Sequence, residues 1–142
     1  MLEKAVEIIT KEFRNKKDKA GKPYIDHLWR VKETVHNEIW GNYELETVAL
    51  LHDLLEDCPN WNEEKLLHVF PKSVVDSVVC LTHLKNESYQ TYIDRVKTNE
   101  MAKLVKIADL KDNMDITRLK TLNEADFIRL KKYHSSYMQL VS

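Results

Sequence analysis

The nine residues from Ala49 to Asp57 read ALLHDLLED and combine an apolar helical run with side chains capable of chemistry. Their leucines are typical of a buried helix, but such a helix does not ordinarily carry so many polar groups within two turns. The polar side chains are those of His52, Asp53, Glu56 and Asp57. Because an unpaired charge is costly to remove from water, these groups need partners, and a divalent cation is the simplest one.

Two further side chains extend this set to a candidate metal centre. His27 lies on a predicted helix upstream, and Asp109 lies on one downstream. Together with His52 and Asp53 they offer two imidazoles and two carboxylates. Such a mixed nitrogen and oxygen shell suits Mn²⁺, Fe²⁺, Co²⁺ or Zn²⁺, whereas Mg²⁺ and Ca²⁺ prefer oxygen alone and structural Zn²⁺ prefers thiolates. Four protein ligands leave positions open for water and substrate, as a hydrolase requires.

The two acids that follow this pair have spacing suited to proton transfer. Glu56 lies four residues after His52, and Asp57 lies four residues after Asp53. Each acid is therefore on the helical face of one candidate ligand, one turn further along. We expect Glu56 and Asp57 to orient and deprotonate a water molecule at the metal rather than to bind the metal.

The elements that must position these residues are all predicted to be helices. The chain has only two Gly and three Pro, which favours long helices over a β-rich or loop-rich fold. Apolar periodicity, caps and breaks predict a basic loop over 14–23 and eight helices. The helices are expected over 2–13, 24–38, 44–57, from Asn62, from Pro71, and over 88–97, 101–114 and 123–141. We therefore predict one all-α domain of seven or eight helices spanning residues 1–142.

Composition limits the partners. The 22 basic and 23 acidic side chains nearly cancel, so no global field favours nucleic acid or a membrane surface. No apolar stretch has membrane-spanning length, and the amino-terminal residues lack the apolar core of a signal peptide. The two cysteines, Cys58 and Cys80, are too few for a disulfide framework. We expect a cytoplasmic protein with reduced thiols, and its oligomeric state stays open.

Three motifs together resemble a known family. They are His52-Asp53-x-x-Glu56-Asp57, an upstream Pro-Tyr-Ile-x-His ending at His27, and a downstream Val-Lys-Ile-Ala-Asp-x-x-x-Asn ending at Asn113. This constellation resembles the HD-domain metal-dependent phosphohydrolases. More narrowly, it resembles the hydrolase domain of RelA/SpoT-type enzymes and the single-domain small alarmone hydrolases, which remove the 3′-pyrophosphate of ppGpp and pppGpp. The resemblance runs from about Lys16 to Tyr133.

The resemblance implies a role for each matching residue. A compact HD-domain helical bundle would hold Mn²⁺ on His27, His52, Asp53 and Asp109. Glu56 and Asp57 would activate the attacking water. A small-molecule nucleotide substrate would be contacted by Lys16, Lys17, Lys85, Asn113, Arg129 and Tyr133.

Two positions depart from the family pattern. Phe13 stands where the first helix of the family normally ends in His, and Lys16 stands where an Arg usually stacks on guanine. Lysine has no planar face, so selectivity for guanine should weaken. The departure at Lys16 therefore keeps hydrolysis of another nucleotide (a nucleoside monophosphate, a dNTP or a cyclic dinucleotide) as an alternative. Two alternatives from other classes are a non-catalytic nucleotide-sensing module and a helical scaffold.

Overall fold

The computed structural model describes residues 1–142 and confirms the all-α prediction. It has no β-strand, although Lys17 and Pro23 form an isolated antiparallel bridge within the predicted basic loop. The chain forms nine α-helices and one 3₁₀ turn. These are α1 (Leu2–Glu12), α2 (Ile25–Glu38), α3 (Tyr43–Leu51), α4 (Leu54–Asp57), α5 (Glu63–Leu67), α6 (Lys72–Cys80), α7 (Tyr89–Val96), α8 (Glu100–Asn113), the 3₁₀ turn Ile116–Arg118, and α9 (Glu124–Val141).

Short polar side chains define where five of the helices begin. Each accepts a hydrogen bond from a backbone N–H of the first helical turn, which would otherwise lack a partner. At the start of α9, Asn123 and Asp126 satisfy each other's backbone N–H groups in a capping box. The five capping residues are Asn42, Asn62, Ser88, Asn99 and Asn123, of which Asn62 and Ser88 were predicted from the sequence.

Helix α3 is the centre of the bundle. Every residue from Leu45 to Leu51 is buried, which is the pattern of a helix surrounded by protein on all sides. It packs against α1, α2, α6 and α8. The core helix therefore places its carboxyl-terminal end, where His52 lies, among the elements that carry the other candidate ligands.

The prediction of one continuous helix over 44–57 is wrong. Helix α3 ends at Leu51 and α4 begins at Leu54, so His52 and Asp53 form a break. The backbone of Asp53 has φ −100° and ψ 0°, outside regular helical geometry, and this interrupts the hydrogen-bond ladder. Because adjacent residues on a regular helix diverge by about 100°, the break helps these two side chains face the same place.

Helix α9 lies on α8 and departs from prediction at one residue. Phe127 was predicted to face inward, but it is 49% exposed. The buried residues of α9 are Ser136 and Leu140, while Leu130 and Tyr137 are half-buried. Leu130 and Tyr137 therefore lie on the side of the helix that faces the core, as predicted, and Phe127 does not. No helix of the chain combines the length and the hydropathy needed to cross a bilayer.

The burial of α3 gives a prediction for stability. Leu50 is fully buried, so Leu50→Ala should lower the free energy of unfolding by about 2–5 kcal/mol through lost burial and an unfilled cavity. Ile128, 69% exposed on α9, provides a control of similar size, and Ile128→Ala should change stability by about 0.5 kcal/mol or less. Urea denaturation of the three proteins measures both values, and equal losses would contradict the central place of α3.

Candidate metal centre and adjoining cavity

Three buried side chains from three elements converge at the end of α3. His27 comes from α2, His52 follows α3, and Asp109 comes from α8. One ligand atom from each lies within 4.8 Å of those of the other two. Two nitrogens and an oxygen at such separations form a candidate divalent metal site.

The ring of His52 is oriented by the backbone. Its Nδ1 lies 2.6 Å from the carbonyl oxygen of Ala49, and since a carbonyl only accepts, Nδ1 carries the proton and donates. Its Nε2 lies 3.3 Å from Asp109 Oδ1. The nitrogen that faces the cluster is therefore the one available to a metal.

Asp53 lies at the margin of this cluster and is half-buried. Its Oδ2 is 3.2 Å from His52 Nε2 and 3.8 Å from His27 Nε2. The hydroxyl of Tyr24 donates a 2.6 Å hydrogen bond to the same oxygen. Asp53 is thus within reach of a cation shared with both imidazoles, and its role as a ligand stays a prediction.

The two oxygens of Asp109 have different partners. Oδ2 lies 2.9 Å from the buried ammonium of Lys106. Oδ1 lies 2.9 Å from His27 Nε2 and accepts a 3.2 Å hydrogen bond from Asn113 Nδ2. Burial opposes ionisation of Asp109, but Lys106 and the two histidines hold the pKa of this carboxyl well below its usual range.

The sequence predicted that the side chains of Asp109 and Asn113 point towards one site, and in the structure the two side chains are hydrogen-bonded to each other. The sequence analysis assigned no role to Lys106, although the spacing between Lys106 and Asp109 indicated that the two side chains pair. Lys106 is three residues before Asp109, and residues three apart share one face of a helix. A lysine on the buried face of α8 needs a carboxylate partner, and Asp109 is the nearest one on that face.

His27 contacts a second carboxylate that the sequence analysis missed. Its Nδ1 lies 2.6 Å from Asp112 Oδ2, and Asp112 is held in turn by Arg30. Burial disfavours the charged ring, but hydrogen bonds to Asp109 and Asp112 outweigh burial and raise the pKa of His27 to about 10. Burial likewise opposes ionisation of Asp112, yet hydrogen bonds from His27 and Arg30 lower its pKa to about 2.

The two predicted catalytic acids lie on α4 and each has a fixed partner. Glu56 Oε1 accepts a 2.5 Å hydrogen bond from the backbone N–H of His83. Asp57 Oδ2 lies 3.0 Å from the ammonium of Lys16. Partial burial raises the pKa of both carboxyls, against the lowering effects of the His83 N–H and of Lys16. Their catalytic role stays a prediction.

Phe13 and Lys16 both lie against the ring of Tyr24. The ring of Phe13 is buried and stacks on Tyr24 with the centroids 5.7 Å apart. The ammonium of Lys16 lies 5.2 Å from the centroid of the Tyr24 ring. Phe13 therefore supports the tyrosine whose hydroxyl holds Asp53, and Lys16 is directed to Asp57 rather than into open solvent.

A cavity of about 270 Å³ adjoins the cluster on the side of His27. Three predicted substrate residues, Asn113, Arg129 and Tyr133, line it together with Tyr24 and His27. The other three predicted substrate residues, Lys16, Lys17 and Lys85, are not in its wall. Lys17 and Lys85 are exposed. All six roles in substrate binding stay predictions.

The charges around the cavity are balanced. Four basic side chains line it, and four aspartates line it as well. Arg30 and Arg118 pair with Asp112, and Arg129 pairs with Asp126. The cavity is therefore polar, and the charges of its lining cancel once His27, which is protonated without a metal, has lost its proton to bind one. Such a lining suits an uncharged group able to make hydrogen bonds.

Comparison with known proteins agrees with this architecture. No family model and no curated protein sequence matches the chain. The all-α fold predicted from the sequence is nevertheless shared with a solved protein. The solved structure of a metazoan ortholog of SpoT, which hydrolyses ppGpp and plays a role in starvation responses, matches with a TM-score of 0.79 and 21% identity. The match covers 98% of this chain and 84% of that one. At this identity, the likeness establishes the fold.

The pKa of His27 leads to a prediction about metal binding. With a pKa of about 10, the metal-free ring is protonated at neutral pH, and Nε2 must lose a proton before it can bind a cation. Binding of a metal ion at pH 7 should release about one proton or more from the protein. The affinity for the metal should increase as the pH increases towards 10.

Titration calorimetry with Mn²⁺ in buffers of different ionisation heat measures this proton release. His36 lies on the same helix and outside the cluster, so a His36→Gln variant should release the same number of protons as the parent. Heats that do not depend on the buffer would show that His27 is neutral before binding or does not bind the metal.

Proposed function

We propose that the chain is a metal-dependent nucleotide phosphohydrolase that removes the 3′-pyrophosphate of (p)ppGpp, giving GDP or GTP and pyrophosphate. The observation that carries the proposal is the buried group of His27, His52 and Asp109 beside a cavity of about 270 Å³. A purely structural bundle would bury these groups at a cost and gain little from them. The fold shared with a protein that hydrolyses ppGpp supports the choice of substrate.

The proposed cofactor is Mn²⁺, held by His27, His52, Asp53 and Asp109. The donor set fits this ion, because it mixes imidazole nitrogens with carboxylate oxygens and presents His52 Nε2 in the required tautomer. When bound, such a cation would neutralise phosphoryl oxygens and increase the acidity of water. The protein's own contribution is to hold the donors: Lys106 occupies Asp109 Oδ2, so that Oδ1 remains directed at the imidazoles.

Glu56 and Asp57 would take the proton from the attacking water. Their pKa values are raised by partial burial, which brings a carboxylate closer to the range useful for general base catalysis. The His83 N–H and the Lys16 ammonium restrict the orientation of the two carboxylates. A base held in place loses less entropy on reaching the transition state than a freely rotating one.

The nucleotide would divide between two environments. The uncharged base and ribose suit the balanced cavity, where Tyr133 offers an aromatic face and Asn113 and Arg129 offer hydrogen bonds. The anionic phosphates suit the lysines outside the cavity: Lys16 beside Asp57, and the exposed Lys17 and Lys85. This division would leave the scissile phosphate linkage near the metal centre.

One observation favours another nucleotide as the substrate. Lys16 offers no planar surface to guanine, because its charged group is an ammonium. That ammonium already contacts Asp57 and lies near the rings of Phe13 and Tyr24. A nucleoside monophosphate, a dNTP or a cyclic dinucleotide would use the same metal centre. In the sensing alternative, the site would bind a nucleotide without turnover.

A nucleotide panel tests the substrate. Purified protein with Mn²⁺ should release pyrophosphate from ppGpp and pppGpp, and it should leave GMP, dGTP and a cyclic dinucleotide intact. Chromatography of the nucleotides together with a pyrophosphate assay measures both products. Turnover of another member of the panel, with ppGpp intact, would change the substrate. Binding of a nucleotide without turnover under any divalent metal would establish the sensing module.

The exchange Glu56→Gln tests the catalytic assignment. It keeps the shape of the side chain but removes the base, so kcat should fall by about 10²- to 10⁴-fold while Mn²⁺ and nucleotide affinities are retained. Glu64→Gln, at an exposed position of α5, is the matched control and should keep the parent's kcat. Steady-state kinetics with ppGpp compare the three proteins, and an unchanged kcat in Glu56→Gln would remove this residue from the mechanism.

A further inference from the structure

Asp112 occupies a position that neither the metal cluster nor the proposed chemistry accounts for. It lies on α8 three residues after Asp109, and its side chain is 11% exposed. Two acids three residues apart on one helical face repel each other, so stability of the helix alone does not favour a second aspartate there. Its nearest partner is a candidate ligand, because Oδ2 lies 2.6 Å from Nδ1 of His27.

The carboxylate of Asp112 is itself held from two directions. Arg30, one turn after His27 on α2, donates from Nε to Oδ1 at 2.8 Å and from Nη2 to Oδ2 at 3.2 Å. Arg118 Nη2 lies 3.3 Å from Oδ1 and donates to the backbone carbonyl of Asp112 at 2.8 Å. A bidentate guanidinium fixes both the position and the plane of a carboxylate.

We infer that Arg30 and Asp112 form a positioning pair that orients His27 for the metal. This inference rests on the proposed metal-dependent function. A carboxylate can only accept here, so Nδ1 of His27 donates to Asp112 and Nε2 is left as the atom that faces Asp109 Oδ1 at 2.9 Å. A metal-binding histidine whose other nitrogen is held by a carboxylate has one tautomer and one ring orientation, and both increase its strength as a ligand.

The same cavity wall contains a comparison for this pair. Arg129 and Asp126 also form an ion pair there, but neither has a hydrogen bond or ion pair to His27, His52 or Asp109. If the Arg30 and Asp112 pair acted only on local stability, the loss of Arg30 and the loss of Arg129 would have similar effects on metal binding. If it positions His27, only the loss of Arg30 affects the metal.

Mn²⁺ affinity tests the inference without reference to turnover. The free-ion signal in electron paramagnetic resonance gives the Kd for the parent and for Asp112→Asn, Arg30→Gln, Arg30→Lys and Arg129→Gln. We expect the pH-independent Kd of Asp112→Asn, obtained from titrations at several pH values, to be about 10- to 100-fold higher than that of the parent. Arg30→Gln should also bind more weakly, and Arg30→Lys should lie between it and the parent, since lysine keeps the charge without the bidentate geometry. Arg129→Gln should match the parent.

The visible spectrum of the Co²⁺-loaded proteins provides the second readout, because it reports ligand geometry and not the fraction of folded protein. We expect shifted bands in Asp112→Asn and Arg30→Gln and a parent spectrum in Arg129→Gln. If Asp112→Asn and Arg30→Gln both show the affinity and the spectrum of the parent, the inference is overturned while the metal site stays intact. A parent that binds neither ion would overturn the proposed function itself. Should Asp112→Asn fail to fold, the two Arg30 variants decide the outcome.

Discussion

The structure depends on how a small group of opposite charges is kept inside an apolar bundle. Asp109 is buried between His27, His52 and Lys106, and each contributes a contact of 3.3 Å or less to its carboxylate. Buried charges are tolerated only when they are paired and hydrogen-bonded. The observed packing of helices α2, α3 and α8 keeps these partners together, and a packing that separated them would leave buried charges unpaired. The candidate metal centre is the same set of contacts that sets this packing.

The break between α3 and α4 is the second constraint. A regular helix through 52 and 53 would direct the two side chains about 100° apart. With Asp53 outside helical geometry, its Oδ2 lies 3.2 Å from His52 Nε2, and α4 continues with the two acids held by His83 and Lys16. A helix that is buried from Leu45 to Leu51 thus ends where the candidate metal ligands begin. The buried residues of α3 hold the helix in the core, and the break at His52 and Asp53 changes the direction of the chain before α4.

Much of the fold was predictable because local rules decide it. Apolar periodicity and capping residues such as Asn62 and Ser88 predict where helices lie, and the all-α class follows. The convergence of His27, His52 and Asp109 was inferred from residue type and motif spacing, and the structure brings the three together. The break at Asp53 and the exposure of Phe127 escaped prediction, since both depend on tertiary packing. Arg30 and Asp112 escaped because their partnership joins two helices and leaves no local pattern.

The proposed function requires that one divalent cation binds between His27, His52, Asp53 and Asp109. Anomalous diffraction from a crystal of the protein grown with Mn²⁺ tests this claim most directly. The predicted result is one strong peak in contact with both Nε2 atoms and with carboxylate oxygens of Asp53 and Asp109. A map without a peak there, with the imidazoles still hydrogen-bonded to Asp109 at saturating Mn²⁺, would show that these four residues do not hold the ion.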